Sequence, residues 1–363
     1  MRYDDSGFCE MVDRLKDRKG MSVEKETSND RPRIEGVKPT AAIYGGEIEV
    51  HGAGFFDNGN FRVKARFGSV DARLVVSGNR HLVVRVPEGA TEGSLTLEND
   101  SASSDPYACS LGATIAEGLH PVSNPAVDLE GNIYTTCSGA RGEEVPVSVF
   151  KIDLNFNVKP FVSDIINPTG LIFDKSGNLL ISSRSNGTIY SVNPDGQVEV
   201  YAEGMGVATG MAFDTGGNLY VGDRTGTIFK ISPNRQIFVF ATIEPSIAAY
   251  HLAMGPGDEL YISGPTTSSF DSLYCVHPNG NVDVVCRGFG RPQGMVFDQS
   301  GDLYLAASYG GHKGVFLMKP GAEPDRIISG PGIVGLAFLP TSELIVATNS
   351  SLYRLNTEIF HCN

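Results

Sequence analysis

Apolar and polar positions alternate along most of this chain in short runs, and each run ends at a cluster of Gly, Asn, Asp or Pro. The stretch from Thr169 to Gly204 shows the pattern. "TGLIFD" is a short apolar strand, "KSGN" a turn, "LLISSR" a second strand and "SNG" a second turn. "TIYSV" alternates with the period of two that a half-buried strand requires. "NPDG" turns the chain again, and "QVEVYAEG" makes a fourth strand. No helical cap and no sustained 3.6-residue period interrupts the unit.

The unit recurs. "GLIFDKSGNLLISS" starts at Gly170, "GMAFDTGGNLYVGD" at Gly210 and "GMVFDQSGDLYLAA" at Gly294. Anchored on the turn glycine after the first strand, the repeats fall at Gly131, Gly177, Gly217, Gly257, Gly301 and, with Ser in place of Gly, Ser342. The spacings are 46, 40, 40, 44 and 41 residues. Four antiparallel strands in about 40 residues form one blade of a propeller. A lone blade cannot bury both faces, whereas blades stacked around an axis can. Six anchors predict six blades over residues 113–363. The last repeat lacks an outer strand, because only "ELIVAT" and "SLYRL" follow Ser342. "ATIAEGL" (113–119) matches the outer strand "VEVYAEGM" and is expected to complete that blade, with "EIFHC" (Glu358–Cys362) as the rival. Phe173, Phe213 and Phe297 are expected to pack between blades. Asp174, Asp214 and Asp298 are expected to accept backbone amides of the turns.

Residues 32–110 alternate differently. "GGEIEVHGAGF", "VKARFG", "LVVRVPEG" and "GSLTLEND" are short strands separated by Gly, Asn and Pro turns, which suits a small β-sandwich. "HGAGFF" lacks the third glycine of a dinucleotide loop, and no GxxxxGK[ST] occurs, so it reads as a tight turn. Residues 1–31 mix charges of both signs and read as a loose, disordered tail.

Two family resemblances follow from these residues. The blade signature P-x-G-h-x-F-D-x-x-G-N-L-Y-h, with h apolar, stands at "PTGLIFDKSGNLLI" and "PQGMVFDQSGDLYL". It recurs as "ATGMAFDTGGNLYV", with Ala first. It resembles the NHL-repeat and gluconolactonase-like (regucalcin-like) propeller superfamily over about residues 113–356. The order "I-x-x-V-x-P…GGEIEVHGAGF…V-x-x-x-F-G…V-P-x-G…G-x-L-T-L" resembles the IPT/TIG immunoglobulin-like family. Modules of that family mediate protein contacts or space other domains, and carry no catalytic machinery. The expected fold class is therefore all-β: an immunoglobulin-like sandwich followed by a six-bladed β-propeller.

Composition narrows the partners. The 363 residues suit two domains. A net charge of −13 argues against nucleic acid. No apolar run approaches the ~18–20 residues of a membrane span. No secretory signal is legible, which makes the cytoplasm the default compartment. The six cysteines show no CxxC spacing; a hairpin across "HPNGN" would bring Cys275 and Cys286 near each other, and the plainer reading is two small buried thiols.

The resemblance to gluconolactonase-like enzymes implies a dication in the funnel, held by Glu, Asn or Asp directly before the blade glycine. The residues standing there are Ser123, Thr169, Thr209, Ala249, Gln293 and Val334, with Asn124 on the glycine position itself. Hard cations need several oxygen ligands, some of them anionic. No catalytic metal and no cofactor is therefore expected in the funnel. HExxH and GxSxG are absent as well.

The crown of the funnel is polar and partly basic. Second strands end at Arg184 and Arg224, "SYGGHKG" carries Tyr309, His312 and Lys313, and "SGARGEE" carries Arg141 and Glu143. Inner strands start near Tyr250, His251, Arg291 and Gln293. Cations around one mouth focus field on an anion. The expectation is a binding protein that holds a small polar or anionic ligand, or a protein partner, through Arg184, Arg224, Tyr250, His251, Arg291, Gln293, Tyr309 and His312. Three other readings stand beside it: a metal-dependent lactonase-like hydrolase, a structural interaction module, and a plain solvated mouth.

Overall fold

The computed structural model describes residues 31–57, 60–61, 63–91, 93–139 and 143–357. Residues 1–30 of the predicted tail, Arg141 and the rival strand Glu358–Cys362 lie outside them. Among the described residues every regular element is a strand, and no helix is long and apolar enough to cross a membrane.

The N-terminal unit is built on one seven-stranded sheet, with the two-stranded pair Phe56–Asp57 and Asn60–Phe61 beside it. The order of the larger sheet runs Arg33–Lys38, Glu47–Ala53, His81–Arg85, Val70–Ser77, Lys64–Phe67, Ser94–Glu98 and Tyr107–Ala108. Alternation decides its faces. In Glu47–Ala53 the side chains of Ile48 and Val50 are buried while Glu47, Glu49 and His51 point the other way. The buried set joins Phe55, Phe67, Leu82, Val84 and Leu95 in a core of its own.

The remainder has a propeller-like arrangement of five four-stranded sheets and one six-stranded sheet. The sheet made of Pro168–Phe173, Leu179–Ser183, Ile189–Val192 and Val198–Ala202 is typical, with each strand antiparallel to the next. The first strands of the sheets touch one another in succession, from Ala126–Val127 through Pro168–Phe173, Ala208–Phe213, His251–Met254, Met295–Phe297 and Ile333–Phe338, and the last touches the first. Ala113–Glu117 pairs antiparallel with Ser351–Leu355, at the outside of the sheet that begins with Ile333–Phe338.

The repeated letters hold sheets and turns together. Phe173 meets Tyr134 of the preceding sheet edge-on at 5.1 Å, and Phe297 meets Tyr261 in the same way at 5.1 Å. Phe213 packs against the buried cluster that joins Leu180 and Ile189 of the sheet before it to Leu219 and Val221 of its own. Asp174 Oδ1 accepts the amides of Ser176 and Asn178 at 2.8 and 2.9 Å. Asp214 and Asp298 accept turn amides likewise.

One sheet shifts the register. Gly131, Gly177, Gly217 and Gly301 take φ between 80° and 92°, and Ser342 takes 67°. In the sheet starting at His251 that conformation belongs to Asp258, with φ 60°, and not to Gly257. The Asp258 amide donates to Gly255 O, as Gly217 donates to Asp214 O. Asp tolerates the left-handed region, so the letter Gly misplaced the anchor by one residue. Tyr250 therefore stands where Ala249 was expected, and His251 occupies the glycine position.

The two parts share a sheet. Ala41–Ala42 pairs parallel with Ile328 and Ser329 at the edge of the ring, and Ser110–Leu111 pairs parallel with Ala41–Ala42 in turn. Ile43 is buried with Tyr304, Val315, Ile328 and Ile333 of the ring. The amide of Glu47 donates to Ser329 Oγ at 2.8 Å, and Lys38 pairs with Asp325 at 2.9 Å.

Candidate functional site

The axis is where the sequence placed the funnel, and at the level of the repeat glycines the backbones of adjacent first strands close on one another. Gly210 donates its amide to Tyr250 O at 2.9 Å, and Gly294 donates to Val334 O at 3.1 Å. A Cβ at Gly294 would stand 2.0 Å from Asn124 Oδ1 and 2.7 Å from Gly335 Cα. One at Gly335 would stand 2.2 Å from Ser123 O. The glycine of the repeat thus lets adjacent first strands meet backbone to backbone. Asn124 and His251 take that position in the two remaining sheets. Asn124 donates Nδ2–H to Met295 O at 2.7 Å and accepts the Leu336 amide at 3.0 Å, so its amide ties its own sheet to the neighbouring one and to the one beyond. His251 is buried, which lowers its pKa to about 4, while the Gln293 side chain bonded to it acts the other way. Toward the far ends of these strands lies a cavity of about 520 Å³ lined by Leu171, Phe173, Met211, Phe213, Met295 and Phe338. That end of the ring is apolar.

The eight residues expected at the mouth occupy three different settings. Arg184 is half-buried and donates from Nη2 to Ser138 Oγ at 3.3 Å and Gly139 O at 3.2 Å, linking two sheets. Arg224 is partly exposed beside the buried carboxylate of Asp223, whose Oδ1 accepts the Val207 amide at 2.8 Å. Arg291 is exposed, and its amide donates to Asp271 Oδ2 at 3.0 Å. Gln293 is half-buried beside His251. Tyr250 is buried in the core between sheets, and its hydroxyl donates to Glu244 O. Tyr309 packs on Phe289 and Phe316. The hydrogen bond from its hydroxyl to Glu323 pushes the pKa up to about 12. His312 leaves the axis altogether and approaches Glu49 of the N-terminal unit, Nδ1 to Oε1 at 3.7 Å.

His312 leads to a cavity of about 570 Å³ between the N-terminal unit and the ring. Hairpins of two ring sheets, the end of Asp325–Ser329 and the turn after Ile43 form its walls. Tyr44, Arg85, His312, Lys313, Arg326 and Asn349 are the side chains with most to offer a ligand. Arg85 is held by Glu47 at 2.5 Å, and Arg326 by Glu49 at 3.0 Å. Burial lowers the Arg326 pKa, and the two glutamates oppose that shift. Lys313 is exposed and has no carboxylate partner among the described residues. Tyr44 is 49% exposed and presents a ring to the cavity mouth. A cation without a partner, fixed guanidinium groups and an open aromatic face are suited to a small anionic or polyhydroxylated molecule. The sequence flagged His312 and Lys313, but at the crown of the funnel and not in this wall. It missed Tyr44, Arg85 and Arg326, because they arrive from strands far apart in the chain.

No protein-family model matches the chain, and no curated protein is similar to it in sequence. Solved structures are similar in fold. An auxiliary nutrient binding protein from Bacteroides ovatus is 14% identical with a TM-score of 0.53, over 91% of this chain and 98% of that one. A gluconolactonase from Xanthomonas campestris is 14% identical with a TM-score of 0.57, over 68% of this chain and 90% of that one. A streptogramin B lyase is 11% identical with a TM-score of 0.50, over 68% and 96%. At these identities the likeness is one of architecture: the chain shares an all-β, propeller-like fold with binding proteins and enzymes alike.

Proposed function

We propose that this chain is a binding protein that holds a small anionic or polyhydroxylated ligand, of the sugar-acid kind, in the cavity between its N-terminal unit and a six-bladed propeller. The cavity carries the reading: it offers the ammonium of Lys313 and the exposed ring of Tyr44 along one open cavity of about 570 Å³. The likeness to a nutrient binding protein over 91% of the chain, N-terminal unit included, supports recognition over hydrolysis. So does the axis, where Ser123, Thr169, Thr209, Tyr250, Gln293 and Val334 stand directly before the glycine position and none of them is the carboxylate that a hard dication requires.

The count of six blades rests on the unbroken succession of first-strand contacts, and on Ala113–Glu117 lying against Ser351–Leu355 to close the ring. The N-terminal unit, with its separate core, is read as an immunoglobulin-like module of IPT/TIG type acting as one wall of the site.

Isothermal calorimetry against gluconate, glucuronate and simple dicarboxylates tests the function. Binding of at least one member is expected, weakened about tenfold by Lys313→Ala or Tyr44→Ala. Silence across the panel, or chelator-sensitive lactone hydrolysis by the untreated protein, would overturn the reading.

A further inference from the structure

His51 and His81 are far apart in the chain but stand directly opposite each other on the paired strands Glu47–Ala53 and His81–Arg85. Glu49 lies two residues before His51, and alternation puts it on the same outward face. The imidazole centroids are 5.0 Å apart, and His81 Nε2 is 3.7 Å from Glu49 Oε2. The candidate donor atoms of all three residues lie within 4.8 Å of one another.

We propose that Glu49, His51 and His81 form a binding site for a late first-row divalent transition metal, of which zinc is the best fit. Zinc takes imidazole nitrogen and carboxylate oxygen at about 2.0–2.2 Å in tetrahedral sites, which sets neighbouring donors about 3.3 Å apart. Small side-chain rotations on an outward sheet face bring the three donors to that spacing. Two imidazoles with one carboxylate favour zinc, cobalt, nickel or copper over calcium and magnesium, which want all-oxygen sites.

The ring orients the carboxylate. Arg326 donates Nη2–H to Glu49 Oε1 at 3.0 Å, and its side chain is only 9% exposed. Oε1 is thereby engaged, and Oε2 faces His81. This is a positioning role of the kind that outer partners play around metal ligands. Three protein donors leave a fourth position to water or to an external donor, and the exposure of His51 puts that position at the surface.

Titration of the metal-free full chain with zinc chloride tests the site, with magnesium chloride as the control. One zinc per chain and no response to magnesium are expected. Cobalt chloride should give visible absorption bands of nitrogen-ligated, low-coordinate Co²⁺. His51→Ala, at an exposed position that leaves the core intact, and Glu49→Gln should each weaken zinc binding roughly tenfold or more. His277→Ala, which alters a histidine paired with Asp283 elsewhere, should leave the titration unchanged. Absence of zinc binding, or binding that survives both His51→Ala and Glu49→Gln, would overturn the proposal. So would loss of the cobalt bands in His277→Ala with retention in His51→Ala.

Discussion

Gly294 and Gly177 belong to one repeated phrase, yet the structure uses them differently. At Gly294 a methyl would strike Asn124 and the backbone of the next sheet, whereas at Gly177 nothing stands within 4 Å and only a φ of 83° resists a side chain. Gly294→Ala should therefore cost about 1–3 kcal/mol through overpacking, and Gly177→Ala about 1 kcal/mol through backbone strain. Urea unfolding of the two variants measures the difference, and equal losses would mean that the axis yields. His251 adds a pH dependence. Its pKa is held at about 4 by burial, below the usual 6.5, so the unfolded chain takes up the proton first. Its contribution is present in full above about pH 6.5 and disappears as pH falls toward 4. Between pH 7 and pH 4.5 the wild type should lose about 2 kcal/mol more than His251→Gln. Parallel stability curves would remove His251 from that role.

Strands and turns were the most legible elements, because alternation and turn chemistry act between chain neighbours. The interlocking aromatic residues and the Asp-capped turns could be read from one repeat and found in the others. The register of one sheet could not, since Gly257 and Asp258 compete for the same turn and only the folded backbone chooses. Nor could the short pair Ala41–Ala42, which has no turn or alternation to announce it. Its place is decided by the edge it joins. Ile43, next to it, is 1% exposed within the core of the ring. Ile43→Ala should cost about 2–5 kcal/mol and speed amide exchange over residues 41–43 and 328–330. Unchanged protection there would show that the strand is held without its anchor.

At the scale of the whole molecule, a shared sheet, a shared core residue and buried Arg326 make the N-terminal unit and the ring mechanically continuous. Calorimetry should record one cooperative unfolding transition, which Ile43→Ala splits into two. Two transitions in the wild type would show that the junction is weaker than its geometry. The candidate site was the least legible feature for the same reason. Of the eight residues expected around the axis, His312 reaches the cavity; Tyr250 and His251 serve packing.

The amino-acid order by itself determined the strands, the turns and the period near 40, because each depends on residues a few positions apart. The tertiary structure alone decided that Glu49 meets Arg326, that His51 faces His81, and that Tyr44 and Lys313 border one cavity. Those meetings depend on the sheet edge where two units dock, and no local pattern of apolar and polar residues encodes which edge is joined.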